Sequence, residues 1–176
     1  MSRAAQPGPP SSLVVMGVSG CGKSAVGAAL ASRLGWRFAD GDDFHPPANV
    51  AKMRTGVALD DADRAPWLDR LNALLRHSAA KREPLVLACS ALKQRYRDAL
   101  AARVPGLRFV FLDGDAGLIA QRLAQRQHRY MPASLLRSQF DALEPPADAI
   151  RVDVAEPLDQ VVARVVAAIR GADPAP

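Results

Sequence analysis

The chain has 176 residues, of which 49% are hydrophobic and 23% are charged, an ordinary composition for a globular domain with its own core. This composition excludes a fibrous or largely disordered protein. The net charge is +5, but the basic residues are scattered and form no run or stripe. We therefore predict no nucleic-acid partner.

The two ends of the chain differ from the rest in composition. Residues 1–12 are rich in Pro and Gly and lack an apolar core, so we expect a flexible tail rather than a secretory signal or a membrane span. Residues 172–176 are expected to form a second short tail. A single domain is therefore predicted over residues 13–171, with no membrane partner.

The first apolar run, residues 13–16, leads directly into a loop of the pattern G-x-x-x-x-G-K-[ST]. In such a strand–loop–helix unit the backbone N–H groups surround the phosphates of a nucleotide. We expect Lys23 to reach the β- and γ-phosphates of ATP or GTP and Ser24 to offer its hydroxyl to Mg²⁺. A chance glycine-rich turn is the alternative, but an apolar stripe at helical spacing follows the loop. The predicted phosphate-binding residues are Gly17, Val18, Ser19, Gly20, Cys21, Gly22, Lys23 and Ser24.

Strands and helices alternate along the rest of the chain. Further strands are predicted at residues 37–39, 85–89, 108–112 and 150–154. Besides the helix after the phosphate loop, helices are predicted from Asp60 or Asp61 through residue 75 and over residues 92–103, 116–126, 133–143 and 158–169. The alternation predicts an α/β fold with a parallel sheet, helices on both faces, and ligands beyond the carboxyl ends of the strands.

An acidic loop follows the second predicted strand. Asp40 and Asp42 are separated by Gly41, so in an extended segment both carboxylates face the same side. Phosphoryl transfer to a hydroxyl needs such a pair: one carboxylate holds Mg²⁺ or its waters, and the other orients or accepts the proton of the hydroxyl. An acidic turn is the alternative interpretation. The neighbouring phosphate loop favours the catalytic one.

The third predicted strand ends in Cys89, where a strand of the Walker-B type carries an acid. Metal support is therefore expected from Ser24 and the loop that holds Asp40 and Asp42, or from water. Cys89 itself is expected to be a buried, small apolar side chain. Because Cys21 and Cys89 lie in positions poorly suited to a disulfide, we predict a reducing, cytoplasmic location.

Arginines cluster around a polar connection at residues 127–131. Arg122 and Arg126 share one helix face, and Arg129 follows them. The cluster is either a solvated basic face or a small lid, at about residues 122–133, whose arginines neutralise the transferring phosphoryl group and exclude water. We favour the lid, because charge stabilisation is most of what phosphoryl transfer demands.

Several ordered motifs together resemble the gluconokinases, over nearly the whole of residues 13–170. Besides the phosphate loop, the motifs are Asp40-Gly41-Asp42 with His45-Pro46, Lys52-Met53, Asp61 and Asp63-Arg64 with Pro66-Trp67-Leu68, Cys89-Ser90-Ala91-Leu92-Lys93 with Tyr96-Arg97, and Ser138-Gln139-Phe140. The resemblance implies ATP-dependent phosphorylation of D-gluconate at its 6-hydroxyl, for the pentose phosphate or Entner–Doudoroff route. It also implies a three-layer P-loop NTPase fold with a five-stranded parallel sheet in the order 2-3-1-4-5, and a homodimer.

For individual residues, the resemblance implies that Asp42 is the base or hydroxyl-orienting group and that Asp40 lies near Mg²⁺. By analogy with related small kinases, Arg122 packs near adenine and Arg126 reaches the phosphates, which makes Lys23, Asp42 and Arg126 the catalytic candidates. Besides Asp42, the substrate-site candidates are side chains suited to a polyol that bears one carboxylate. They are His45, Lys52, Arg64, Lys93 and Arg97.

One segment departs from the family pattern. The segment is His128-Arg129-Tyr130-Met131, where the family commonly has Gly-His-Phe before the Met, so no histidine contact is carried over.

Three alternative functions stay open. A shikimate kinase is expected to have a glycine run after the third strand, where this chain has Cys89-Ser90-Ala91. A nucleotide kinase needs a pocket for a base and phosphorylates a phosphate. A nucleotide-gated switch protein needs no small acceptor at all.

Overall fold

A computed structural model describes residues 10–125 and 133–171 of the chain. The described residues contain five strands: β1 (Ser12–Met16), β2 (Arg37–Asp40), β3 (Leu85–Ala88), β4 (Leu107–Asp113) and β5 (Ile150–Asp153). They form one sheet in the order β2-β3-β1-β4-β5, and each of the neighbouring pairs is parallel. The predicted α/β fold and the predicted strand order are confirmed.

The helices of the described residues are α1 (Lys23–Leu34), α2 (Pro47–Arg54), α3 (Asp61–Lys81), α4 (Gln94–Ala101), α5 (Ala116–Ala124), α6 (Ala133–Ala142) and α7 (Leu158–Arg170). Only α2 is missing from the sequence prediction. Its eight residues are all described, and Asn49 alone among them is buried. Such a helix has no apolar stripe for a periodicity argument to find.

The core lies on both faces of the sheet, because the side chains of a strand alternate between its two sides. Along β1, Leu13 and Val15 point into a cluster shared with α1 and α7, whereas Val14 and Met16 point into a second cluster shared with α3 and α4. All four of these side chains are fully buried. This double burial explains why β1 is a continuous apolar run rather than an alternating one.

Helix α3 begins with a capping box. The carboxylate of Asp60 accepts the backbone N–H of Asp63 at 2.8 Å, and the carboxylate of Asp63 accepts the backbone N–H of Asp60 at the same distance. The sequence allowed either Asp60 or Asp61 as the cap. The structure selects Asp60, so the carboxylate of Asp61 is available for contacts with other elements.

Several predictions fall outside the described residues. They are the tail at residues 172–176, most of the tail at residues 1–12, Arg126, and the segment His128-Arg129-Tyr130-Met131, which includes most of the expected lid. Within residues 10–125 and 133–171, no helix has both the length and the apolar character needed to cross a bilayer.

The buried face of α3 is expected to dominate the stability of the second cluster. Leu71 is fully buried, so Leu71→Ala removes packed methyl groups and leaves a cavity, which lowers the free energy of unfolding by about 2–5 kcal/mol. Leu158→Ala is the matched control, because Leu158 is 46% exposed, and we expect a change within about 0.5 kcal/mol. Urea titration of both variants measures the difference, and equal destabilisation would contradict this account of the core.

Candidate active site

The phosphate loop connects the end of β1 to the start of α1. At Gly20 the backbone φ is +84°, and an added Cβ would lie 2.6 Å from Leu123, so both the conformation and the space require glycine. The ammonium group of Lys23 donates to the carbonyl of Val18 at 3.0 Å, across the mouth of the loop. Because α1 begins at Lys23, the positive end of the helix faces this loop, as an anion site requires.

Asp40 joins the phosphate loop to the end of β2. The hydroxyl of Ser24 donates to Oδ2 of Asp40 at 2.5 Å, and Oδ1 of Asp40 accepts the backbone N–H of Asp42 at 3.0 Å. A hydroxyl and a carboxylate are the hard oxygen ligands that Mg²⁺ prefers. The two residues predicted to bind the metal therefore lie in direct contact.

Asp42 does not lie on an extended segment, so the geometric reason given for pairing it with Asp40 is wrong. A 3-10 turn at Gly41–Phe44 begins directly after Asp40, which caps the turn. A Cβ at Gly41 would lie 2.7 Å from the carbonyl oxygen of Ala88, so the turn presses closely on the end of β3. The indole Nε1 of Trp67 donates to the carbonyl of Gly41 at 2.7 Å and fixes the turn to α3.

His45 follows the turn and stacks on Trp67, with ring centroids 4.3 Å apart and planes inclined by 14°. Its Nε2 lies 4.0 Å from Oδ1 of Asp42. Burial lowers the pKa of His45, the charge of Asp42 opposes that shift, and the charge of Arg64 adds to it. His45 therefore lies close enough to both Asp42 and Arg64 for their charges to act on its ring. All three are predicted site residues.

Cys89 marks the point where these charged groups meet. It is 3% exposed, as predicted, and burial raises the pKa of its thiol to about 12. The charges of Lys23, Asp42 and Asp40 also act on that thiol. The phosphate-loop lysine and the two carboxylates thus surround the end of β3, which the strand order alone would not have established.

A second group of charges surrounds the ring of Tyr96 on α4. Lys93, Arg64 and Arg95 place their cationic groups 5.6 to 5.7 Å from the ring centroid. The hydroxyl of Tyr96 donates to Asp61, which also pairs with Arg95 and with Lys93, and the hydrogen bond from Tyr96 is the main cause of the lowered pKa of Asp61. Three cations thus surround one aromatic ring, and two of them, Lys93 and Arg95, also share the carboxylate of Asp61. Sequence reasoning missed Arg95.

Lys52 lies on α2 and tethers it to the start of α3. Its ammonium donates to Oδ2 of Asp63 at 2.5 Å and lies 3.9 Å from Asp60. The hydrogen bond to Asp63 is the largest cause of the raised pKa of Lys52. An ammonium group has three donors, so Lys52 can hold α2 in place and still face a ligand.

Arg97, predicted as a substrate-site residue, has a different role in the structure. It is 3% exposed, and its guanidinium donates to the carbonyls of Ala91 at 2.9 Å, Leu92 at 3.0 Å and Glu144 at 2.8 Å. Ala91 has a φ of +45°, a conformation that costs energy for a residue with a Cβ. Arg97 therefore supports the loop that presents Lys93: both terminal nitrogens of its guanidinium are engaged with the protein, whereas its buried Nε has no hydrogen-bond partner among the described residues.

Gln139 on α6 contacts the phosphate loop directly. Its carbonyl oxygen accepts the backbone N–H of Ser19 at 2.6 Å, and its amide nitrogen donates to the hydroxyl of Ser19 at 2.9 Å. The residue belongs to the Ser138-Gln139-Phe140 motif, to which sequence reasoning gave no role.

Near the other end of the site, Arg122 donates to the carbonyl of Val154 at 2.7 Å, just past β5.

The comparisons with known proteins agree that the chain is a kinase, and the curated relatives identify its family. The family model described as shikimate kinase matches residues 19–168. The gluconokinase of Gluconobacter oxydans (strain 621H) is 52% identical over 139 residues, which are 79% of this chain and 78% of that protein. The chain belongs to the gluconokinase family. The thermosensitive gluconokinase of Escherichia coli (strain K12) is 44% identical over 147 residues, 81% of this chain and 79% of that protein.

A solved structure supports the same assignment. The crystal structure of a gluconokinase from Sinorhizobium meliloti 1021 is 45% identical to this gluconokinase-family chain and superposes with a TM-score of 0.82, covering 94% of each chain. Together with the phosphate loop, these matches make the protein a P-loop kinase that uses a nucleotide.

The two hydrogen bonds between Gln139 and Ser19 are expected to hold Ser19 in the conformation that binds phosphate. Gln139→Leu removes both of them, so we expect a dissociation constant for ATP that is about three- to tenfold higher, measured by isothermal titration. Ser138→Ala on the same helix is the matched control, because the hydroxyl of Ser138 bonds only to Leu135 of its own helix among the described contacts. Equal ATP affinity in the two variants would contradict a role for Gln139 in the loop.

Proposed function

We propose that the protein transfers the γ-phosphoryl group of ATP to the 6-hydroxyl of D-gluconate, giving 6-phospho-D-gluconate and ADP. The observation that carries this proposal is the contact between the phosphate loop and the acidic turn: Ser24, next to Lys23, donates to Asp40, and Asp40 accepts the backbone N–H of Asp42. A phosphate-binding lysine next to two carboxylates suits transfer to an alcohol rather than to another phosphate. The gluconokinases among its relatives supply the choice of acceptor.

The nucleotide half of the proposed site is the phosphate loop together with the carboxyl ends of β4 and β5. A cavity at those strand ends, beside Arg122, is proposed to take the adenosine; it is lined by Asp113, Gly114, Asp115, Leu118, Asp153 and Ala155. The contacting oxygens of Ser24 and Asp40 suit Mg²⁺. When bound, Mg²⁺ would neutralise phosphate charge. Arg126, outside the described residues, remains proposed as a phosphate contact and catalytic residue.

Asp42 is proposed as the base. As the 6-oxygen of gluconate bonds to the γ-phosphorus, the bond between that phosphorus and the β–γ bridging oxygen breaks, ADP leaves, and the hydroxyl proton passes to the carboxylate of Asp42. Lys23 would stabilise the negative charge on the phosphates during this step. Asp42 is exposed at the surface of its turn, so an acceptor can reach it.

The carboxylate of gluconate is proposed to face the cations around Tyr96. Arg64 and Lys93 lie on the α3 and α4 sides of that ring, and the group holds more positive charges than Asp61 can balance. Guanidinium and ammonium groups are the usual partners of a ligand carboxylate. His45 and Lys52 are proposed to contact the hydroxyl groups between the two ends of the acceptor.

The broader setting is also proposed rather than observed. A single kinase domain over residues 13–171 with a lid at about residues 122–133, a homodimer, a cytoplasmic location and entry of the product into the pentose phosphate pathway all accompany the proposed activity. Their support is the resemblance to the gluconokinases and the two buried cysteines, which form no disulfide.

The test of the function is Mg²⁺-dependent release of ADP from ATP with the purified protein. The acceptors are D-gluconate, shikimate, a panel of nucleoside monophosphates, and none. Turnover with gluconate alone is expected. Turnover with shikimate or a nucleotide would reassign the acceptor pocket, and ADP release that ignores every acceptor would favour a nucleotide-gated switch over a metabolic kinase.

The role of Asp42 predicts a loss of turnover with little loss of nucleotide affinity. Asp42→Asn keeps the size of the side chain but removes the proton acceptor, so kcat should fall by about 10²- to 10⁴-fold. Asp43→Asn is the matched control, because Asp43 is an exposed carboxylate in the same 3-10 turn, and it should keep near-normal kcat. A folded Asp42→Asn enzyme with normal kcat would remove Asp42 from the mechanism.

A further inference from the structure

Asn49 is a buried polar residue that the proposed chemistry does not use. It is 4% exposed, although the rest of α2 is at least partly exposed to solvent. Burying an amide costs free energy unless its donors find partners. Its two donor contacts, to Asp63 and to His45, therefore account for the position of the side chain.

The first of these contacts fixes which way the amide points. Nδ2 of Asn49 donates to the backbone carbonyl of Asp63 at 2.9 Å. A carbonyl oxygen only accepts hydrogen bonds, so rotating the amide by half a turn would set two oxygens against each other. The nitrogen of the amide must therefore face Asp63.

The second contact then decides the state of the histidine. The same Nδ2 lies 3.3 Å from Nδ1 of His45, and its remaining hydrogen is available for that nitrogen. A donor on Asn49 requires a lone pair on Nδ1 of His45. In a neutral imidazole the ring proton then lies on Nε2, the nitrogen that is 4.0 Å from Oδ1 of Asp42.

We propose that Asn49 is a positioning residue that holds His45 as the neutral Nε2–H tautomer and so directs a ring N–H toward Asp42. An N–H on that side attracts Oδ1 of Asp42 and so orients the carboxylate of the proposed base. The opposite tautomer would present a lone pair to the carboxylate and repel it. The role of Asp42 as a base rests on the proposed function, whereas the tautomer of His45 does not.

Burial lowers the pKa of His45 and so favours a neutral ring, against the charge of Asp42. Asp42 in the 3-10 turn favours the imidazolium, whereas Arg64 on α3 disfavours it. Trp67, which stacks on the ring, carries no charge. On the far side of Asn49, Lys52 and Asp63 neutralise each other in an ion pair. An imidazolium would also set an N–H of His45 against the N–H of Asn49, so this contact and burial act in the same direction.

The test is ¹⁵N NMR of the histidine ring nitrogens in the full-length protein. The chain has three histidines, so the signal that disappears in His45→Gln identifies His45. At neutral pH the wild-type protein should show an unprotonated Nδ1 and a protonated Nε2. A protonated Nδ1, or a charged ring, would overturn the proposal whether or not any variant of Asn49 folds.

Asn49→Leu gives the second readout, because leucine has similar volume and no donor. We expect a mixture of both tautomers and a several-fold fall in kcat with little change in the KM for ATP. Asn72→Leu is the matched control. Asn72 on α3 also donates twice, to the carbonyls of Leu100 and Ala102, and neither of these residues is a described partner of His45. It should lose a similar number of hydrogen bonds and keep the wild-type tautomer and kcat.

The outcomes separate this inference from the proposed function. Retention of a pure Nε2–H tautomer in Asn49→Leu, or a fall in kcat no larger than that of Asn72→Leu, would overturn the positioning role. A failure of the wild-type protein to phosphorylate gluconate would contradict the proposed function. The NMR spectra would still report the tautomer of His45.

Discussion

The parallel pairing of β1 with its neighbours is the constraint on which the site depends. Val15 pairs with Ala88, and Ala88 pairs with Asp40, so these residues of β1, β3 and β2 lie side by side in the sheet. Parallel strands all point the same way, so the loops that follow them must leave from one edge. The phosphate loop is bonded to the next strand's loop through the N–H of Gly17 and the carbonyl of Ser90, at 3.2 Å. The short hydrogen bond between Ser24 and Asp40 becomes possible only because of this alignment.

Helix α3 supplies the other half of the framework. Its 21 residues bury one face against the sheet, while its first three turns carry Asp61, Arg64 and Trp67 toward the site. Trp67 is both a core residue and the donor that holds the carbonyl of Gly41. The same buried side chain thus contributes to stability and places the turn that contains Asp42. A site built on rigid elements in this way keeps its geometry better than one carried by loops alone.

Sequence reasoning succeeded where a local pattern determines structure. The continuous apolar run of β1 and the glycine pattern after it required only neighbouring residues, so the strand and the phosphate loop were found at once. Helix α2 was missed because a short helix that buries one amide has no periodic signal. The extended arrangement expected for Asp40 and Asp42 was wrong because the capping of a 3-10 turn by Asp40 outweighs strand propensity there.

Side-chain roles were harder to predict when the partner lies far along the chain. Lys93 and Arg97 look equivalent as sequence, yet Arg97 bonds to the carbonyl of Glu144, 47 residues away, and turns inward. Gln139 meets Ser19 across 120 residues. No spacing rule reports such contacts, because they exist only once the sheet has brought the loops to one edge. The resemblance to a family identified these positions as belonging to motifs without saying what each one does.

The uncharged end of β3 has a chemical consequence for the durability of the enzyme. Oxidation of cysteine by peroxide proceeds through the thiolate. With the pKa of Cys89 raised to about 12, the thiol is almost entirely protonated at neutral pH. A thiol can therefore stand among the charged groups of the site, where an acid would add negative charge, and still be a poor target for oxidants. At this position, burial serves as chemical protection.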